Sequence, residues 1–161
     1  MKTFQSRRRV NYSAEEMFAL VKDVESYPKF VPLCEGLKIK SRTTPREGVE
    51  VIQADMEVGF KAICERFTSN VTCDIIRHEI LIEYVNGPFR KMEGRWFFKN
   101  LPAQDQQNAQ SEIQFKISYE LKSFALGLIM GAMFDGAFQK YAEAFVNRAH
   151  KVYGVTNDIN R

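Results

Sequence analysis

The stretch from Ser123 to Tyr153 constrains the fold of this chain more than any other. At helical spacing, Gly127, Met130, Phe134, Phe138, Tyr141, Phe145, Ala149 and Val152 fall on one stripe. Steps of three and four residues are what a helix needs to bury one face. The opposite face changes character along its length. In the second half it carries Gln139, Lys140, Glu143, Asn147 and His150; in the first half it carries Ala125, Leu128, Ile129 and Ala132. The spacing therefore predicts a helix half-buried at its C-terminal end and apolar all round at its start. An all-apolar helix end has to be covered by protein, ligand or membrane. Two readings stay open at this point: a helix end tucked under loops, or a lipid-type site beside it.

What precedes that helix alternates with period two. Glu112 to Leu121 is the cleanest strand, with Ile113, Phe115, Ile117, Tyr119 and Leu121 on one face against Glu112, Gln114, Lys116, Ser118 and Glu120. Further strands are expected over residues 3–11, 37–42, 49–58, 60–71, 75–84 and 91–100. The last of these places Met92, Gly94, Trp96 and Phe98 on one face. Arg8 is a misfit on the inner face of the first strand, which makes that strand an edge or sends Arg8 into a polar pocket. Ser13 and Glu16 form a capping box that opens a helix over 14–24. A second helical turn is expected at 27–30, stopped by Pro32. Gly59 reads as a bend or hairpin, Asn86-Gly87-Pro88 as a break, and residues 102–110 as a solvated loop. The order implies an α+β fold, with a curved antiparallel sheet packed on the C-terminal helix and a cavity between them. Residues 1–154 are expected to form one domain and 155–161 a polar tail.

Composition limits the chemistry. A net charge of +3 is too mild to argue for nucleic-acid binding, though it favours an anionic membrane surface over an acidic partner. Three cysteines (Cys34, Cys64, Cys73) and two distant histidines (His78, His150) lack metal-ligand spacing and read as free thiols and isolated imidazoles. The N-terminus shows no apolar signal core. The longest apolar run, 124–134, is shorter than the ~20 residues that span a bilayer. A soluble product that stays where it is made is expected, unless a presequence has been removed. Asp55, Glu57, Glu65, Asp74 and Glu79 are scattered as on a solvated face, and no nucleophile–base pairing is visible. Gly127, Gly131 and Gly136 lie inside an apolar helix, so they do not make a phosphate loop; close helix–sheet packing is the favoured reason for them.

Three motifs resemble the coenzyme Q-binding protein family, within the START-like (helix-grip) superfamily of polyketide cyclases/dehydrases and lipid transport. They are Tyr27-Pro28-Lys29-Phe30-Val31-Pro32-Leu33-Cys34; the strand Gly87-Pro88-Phe89 through Met92, Gly94, Trp96 and Phe98; and, in the last helix, Phe138, Tyr141-Ala142, Ala144-Phe145 and Arg148-Ala149. They occur in order across residues 3–153. Met92 stands where the family usually has leucine, a volume-conserving change.

The resemblance implies a deep apolar tunnel that takes a polyprenylated quinone such as ubiquinone, or a similar lipid, in support of respiratory electron transport and ubiquinone biosynthesis. Phe30, Val31, Phe89, Trp96, Tyr119, Leu126, Ile129, Met130, Met133 and Phe134 are the expected wall, with no catalytic group, metal or covalent cofactor. Peripheral membrane contact is assigned to Tyr27, Lys29, Arg90, Lys91 and Leu128, grouped with the helix start at the cavity mouth; a homodimer contact on that face is the alternative. The location implied is the cytoplasm at the inner membrane of a bacterium, or the matrix side of the mitochondrial inner membrane. Bacterial relatives include a ribosome association toxin acting on the 50S subunit. For that role Arg7, Arg8, Arg9, Lys38, Lys40, Arg42 and Arg46 offer cations, with no aromatic interleaved in sequence. A cyclase using Tyr119, Trp96, Glu65 and Arg66 is the third reading.

Overall fold

The computed structural model describes residues 1–60, 62–102 and 109–154. Most of the expected 102–110 loop and the whole 155–161 tail lie outside the described residues. In chain order the elements are β1 (Lys2–Val10), α1 (Ala14–Lys22), a 3-10 helix (Val24–Lys29), β2 (Cys34–Arg46), β3 (Val49–Phe60), β4 (Ile63–Asp74), β5 (Glu79–Asn86), β6 (Phe89–Leu101), β7 (Gln110–Leu121) and α2 (Phe124–Tyr153). The strands form one sheet in the order β1-β7-β6-β5-β4-β3-β2, with every neighbouring pair antiparallel.

The α+β expectation therefore holds, with the sheet as a meander whose first strand joins at the far side. After β1 the chain crosses to the opposite edge through α1 and the 3-10 helix, which is why those helices interrupt the strands where they do. Ser13 caps α1 as expected: its hydroxyl accepts from Glu16 N at 3.0 Å, and Glu16 Oε1 accepts from Ser13 N at 2.9 Å. β1 is an edge strand, which resolves Arg8: it is exposed on the nominal inner face, while Val10 on the same face is buried.

The sheet bends because its register slips. β2 against β3 is irregular between Cys34 and Gly36, Ile39 and Ser41, and Thr43 and Arg46. Further shifts occur at Thr68/Ser69 and Phe89/Lys91. An extra residue on one strand of a pair kinks it and increases its twist, so repeated slips curl a meander into a trough. Gly59 proves not to be the hairpin: β3 runs past it, its N–H donates to Leu33 O at 3.0 Å, and a Cβ there would lie 2.2 Å from the Glu35 carboxylate carbon.

The inner face of the trough is aromatic. Trp96, Phe98, Phe115, Tyr119 and Phe89 are buried on β6 and β7, and Phe134, Phe138 and Phe145 meet them from α2. Ring centroids lie 5.4 Å apart for Phe89–Phe134, 5.1 Å for Trp96–Phe145 and 5.5 Å for Tyr119–Phe138. The helix stripe read from the sequence is mostly the observed one. At its two ends Val152 is exposed and Gly127 is only half-buried.

The β5–β6 turn depends on Gly87. Its φ is +144°, and a Cβ added there would lie 2.5 Å from Phe67 Cβ, so a side chain meets both backbone strain and a clash. Gly87→Ala should cost about 1–3 kcal/mol. A melting temperature lower by roughly 4–8 °C in a thermal scan checks it. An unchanged melting temperature would mean that the turn relaxes.

Candidate functional site

Between trough and helix lies an enclosed apolar cavity of about 70 Å³. β3, β4 and β5 contribute Ala54, Met56, Val58, Phe67, Ser69, Val71 and Ile82. β6 and β7 add Phe89, Met92, Trp96, Phe115 and Ile117, and α2 adds Phe134, Phe138, Tyr141 and Phe145. Val24 and Tyr27 of the 3-10 helix and Leu37 of β2 close the remaining side. A water occupies about 30 Å³ in the liquid, and ligand pockets commonly run to hundreds of Å³. The cavity is thus a seam held nearly shut by its own aromatic rings, and a larger guest has to part them.

Of the wall expected from sequence, Phe89, Trp96 and Phe134 line this cavity. The others do not. Met130 is fully buried in the core but off the cavity wall. Leu126 and Met133 are half-buried, and Ile129 points outward at 59% exposure. Val31 is buried core, while Phe30 packs edge-on against Phe145 at 5.0 Å under the Arg148 guanidinium. The physical reason is rotation. Consecutive helical residues turn about 100° apart, which sends Ile129 outward and leaves Leu126 and Met133 on the flanks, whereas Met130 shares the stripe of Phe134 but lies one turn beyond the cavity.

Sequence reading missed most of the wall. β3, β4 and β5 supply it through small or medium side chains such as Ala54, Ser69 and Val71, which carry no signal beyond their alternation. Tyr141 was legible as part of the helix stripe. Its ring packs on Phe115 at 5.8 Å and Phe138 at 5.2 Å, and burial pushes the ionisation of its hydroxyl well up, the neighbouring Cys34 adding to the effect. The Cys34 thiol is itself pushed up by burial to about 11, so it stays protonated and unreactive.

The expected mouth also needs correction. Tyr27, assigned to membrane contact, is buried; its hydroxyl donates to Val21 O. Lys29 and Phe30 border a groove with Lys140, Glu143, Asn147 and Arg148, beside the C-terminal half of α2. Arg90 instead borders a groove with Lys2, Tyr119, Lys122, Phe124 and Leu128, beside the helix start. Some 17 residues of helix, about 25 Å, separate Leu128 from Phe145, so the two loops flank opposite ends of α2.

At the helix start the apolar face is left bare among the described residues. Phe124 is 82% exposed and Leu128 66% exposed. The reading of a helix end tucked under loops therefore fails. Close packing does not account for the glycines either. A Cβ on Gly127 or Gly136 would find no atom within 4 Å, and on Gly131 only the Lys2 side chain, whose Nζ would be 3.2 Å away.

This half of α2 is tied to the sheet by a polar latch that the sequence did not announce. The Tyr119 hydroxyl donates to Asp135 Oδ1 at 2.6 Å, and Lys2 Nζ donates to Oδ2 at 3.0 Å. Tyr119 is thus a latch residue, not a cavity liner. The hydrogen bond from Tyr119 holds the Asp135 carboxyl below the usual aspartate range, and Lys2 adds to it.

The groups nominated for cyclase chemistry are dispersed. Arg66 pairs with Glu57 at 2.7 Å on the exposed face, and neither Arg66 nor Glu65 lines the cavity. Of the scattered carboxylates, Asp55 accepts from Thr68, Asp74 accepts from the Ile76 and Arg77 amides, and Glu79 pairs with Arg95.

A long helix gripped by a curved antiparallel sheet around an apolar seam defines the START-like class of α+β domains. The chain belongs to the polyketide cyclase / dehydrase and lipid transport family, which it matches over residues 10–146. It is 30% identical over 156 residues to the ribosome association toxin RatA of Vibrio cholerae, covering 96% of this chain and 99% of the relative. It is equally 30% identical over 146 residues to the mitochondrial coenzyme Q-binding protein COQ10 homolog B of Xenopus laevis, covering 90% of this chain and 57% of that one. Among solved structures, the 18 kDa protein CC1736 of Caulobacter crescentus superposes with a TM-score of 0.75 at 28% identity, covering 96% and 100% of the two chains. The Zhui aromatase/cyclase of Streptomyces superposes at 0.61 and 16% identity over 91% and 89%, a likeness of fold alone.

The latch yields a pH prediction. A carboxyl whose ionisation is lowered by folding contributes stability above the ordinary aspartate value of about 3.9, and that contribution is lost as pH falls through the folded value. Asp135 is partly exposed, so Asp135→Asn should cost at most about 1 kcal/mol at pH 7. Urea unfolding at pH 7 and pH 3 should show the gap between parent and variant closing at the acid end. A gap that persists at pH 3 would refute the ionic latch.

Proposed function

We propose that this protein carries a polyprenyl quinone or a similar neutral lipid in the seam between sheet and α2, without catalysing a reaction on it. The observation that carries the reading is an aromatic cavity next to a helix start whose apolar face the fold leaves bare. Kinship with a coenzyme Q-binding protein supports the same ligand class. Burial of an isoprenoid tail gains about 25 cal/mol per Å² of apolar surface, enough to offset the parting of packed rings over a long chain. Natively purified protein, extracted with organic solvent and analysed by mass spectrometry, should yield a quinone or polyprenyl species. Ala54→Leu, which fills the seam from β3, should lower the yield severalfold while the fold survives. Lipid-free parent protein would refute carriage.

Collection of such a lipid requires contact with a bilayer, since a polyprenyl chain has negligible solubility in water. No helix among the described residues is long and apolar enough to cross a membrane, so the contact assigned is peripheral. The proposed contact is the bare face at Phe124, Leu128 and Ile129, rimmed by Lys2, Arg90, Lys91 and Lys122. Arg90 and Lys2 are partly neutralised by Glu120 and Asp135. A few cations near an anionic surface, each worth about 1 kcal/mol, make attachment weak and salt-sensitive. In vesicle flotation, binding should rise with anionic lipid, weaken in high salt and fall further in a Leu128→Asp, Ile129→Asp double variant. If flotation were unchanged by the double variant while the parent runs as a dimer, this face would be a contact between two copies.

A second reading, association with the large ribosomal subunit, is favoured by one observation. The fold sets Phe97 of β6 in a shallow depression with Arg7, Arg95 and Lys116 on the outer face of the sheet, an aromatic among cations that were separate in the sequence. Arg7 and Arg95 already pair with Glu112, Glu79 and Glu93 there, which weakens the patch as an RNA platform. Salt-dependent co-sedimentation with 50S particles, lost on Lys116→Glu, would place function on that face.

A further inference from the structure

The cavity wall is apolar except for a few polar groups, and these are of one kind. Tyr141 on α2, Trp96 on β6 and Ser69 on β4 all open onto it. Trp96 is 2% exposed and Ser69 7% exposed. Tyr141 is half-buried and lines the cavity from α2. Among the described residues none of the three side-chain donors has a hydrogen-bond partner in the protein. Among the described residues the fully buried side-chain polar atom without a partner is Ser111 Oγ, elsewhere in the fold, so the three donors each keep some accessible surface. By contrast, the Tyr27 hydroxyl on the same wall is already engaged with Val21 O.

Two of them come together, while Ser69 stands apart: Trp96 is level, through Ile80, with Cys73, four residues along β4 from Ser69. The Phe115 ring sits 4.4 Å from the Trp96 ring and 5.8 Å from the Tyr141 ring, so the indole and the phenol flank one aromatic floor. Phe145, one helical turn beyond Tyr141, lies 5.1 Å from Trp96 and closes the same end. A donor that borders a void and has no partner in the protein is free to bond a ligand placed there, which offsets the ligand's loss of hydration. Among the described residues no lysine, arginine or histidine lines the cavity, so none of them there would balance a carboxylate or phosphate. Burial keeps the phenol protonated and able to donate.

We propose that Tyr141 and Trp96 form a head-group subsite that receives the acceptor oxygens of a neutral, carbonyl-bearing lipid, which therefore enters oxygen end first. This deepens the carrier reading and rests on it: a lipid would lie with its oxygenated end between Tyr141 and Trp96 and its chain running toward the start of α2. The subsite accepts a quinone, ketone or ester oxygen and rejects a fatty acid, whose charge would be buried unpaired.

Trp96 is the sole tryptophan of the chain, so its fluorescence reports on the subsite directly. The test titrates lipid-free protein with three probes of equal tail: a decyl-substituted dimethoxybenzoquinone, decylbenzene and decanoate. The expected result is saturable change with the first two, and none with decanoate at neutral pH. Tyr141→Phe should weaken the quinone about tenfold and leave decylbenzene unchanged. The ligand-free Tyr141→Phe protein should melt no lower than the parent, because it loses only an unpaired hydroxyl. Equal weakening of both probes, no effect on the quinone, a lower melting temperature, or decanoate binding as tight as the quinone would each overturn the subsite. A parent that binds none of the probes would overturn the carrier reading as well. If Tyr141→Phe does not fold, Trp96→Phe, read by calorimetric titration because it removes the fluorophore, gives the same comparison, and loss of discrimination between quinone and decylbenzene is the expected result.

Discussion

Everything in this fold depends on laying a straight aromatic helix face across a sheet that curves away from it. Flat rings on α2 meet flat rings on β6 and β7 at 5–6 Å between centroids, edge to face or tilted, which suits the quadrupole of each. A convex cylinder in a trough touches along a line, and the contact thins to either side. On the side of β3, β4 and β5, small residues such as Ala54, Ser69 and Val71 face the helix across the gap, and the seam opens there. The cavity follows from the geometry that makes the core; no separate element builds it.

The same constraint explains the weakness at the start of α2. That half of the helix reaches beyond the dense aromatic contact, and it is held by Ser123 capping at Leu126 N and by the Tyr119–Asp135–Lys2 latch. Each interior glycine costs about 1 kcal/mol of helix stability relative to alanine, and Gly127 and Gly136 recover nothing through close packing. Loose glycines, one polar latch and a bare apolar face are low-stability features gathered in one segment, where a helix has to move if the seam is to widen. The C-terminal half is different: Tyr12 bonds to Gly154 O and Tyr153 to Glu16 O, so α1 and the end of α2 are fastened together.

Much of this was legible in the residues. The alternation of β6 and β7 was read without error, and the capping box at Ser13, the edge character of β1 signalled by Arg8, and the core stripe of α2 all follow from period and side-chain chemistry. What escaped depended on distance across the sheet. Sequence alone set Tyr27 and Phe30 beside Arg90 because all three sit in aromatic–basic loops. The meander order puts three strands between β2 and β6, so those loops reach opposite ends of the helix. Met130, Met133 and Ile129 looked like a ligand wall because an all-apolar helix start gives no phase; which side meets the trough is fixed only by the stripe further along. Phe97 gained its basic neighbours through the pairing of β1, β7 and β6, which no local pattern announces.

A seam of about 70 Å³ and a ligand with a long chain are compatible only if the ligand supplies its own opening. A rigid large cavity would have no need of bare apolar surface or of glycines in its covering helix; it would be open at rest and exposed to water. Here the rings pack together, while apolar surface is left exposed at Phe124, Leu128 and Ile129. A bilayer edge is where that exposed face and the hidden one can be relieved together. In the proposed carrier the face would be covered on contact, Lys2 would be shared between Asp135 and lipid headgroups, and the interior would be filled by the lipid taken up. The bare helix start and the nearly closed seam are in this sense two halves of one device, each hard to justify without the other.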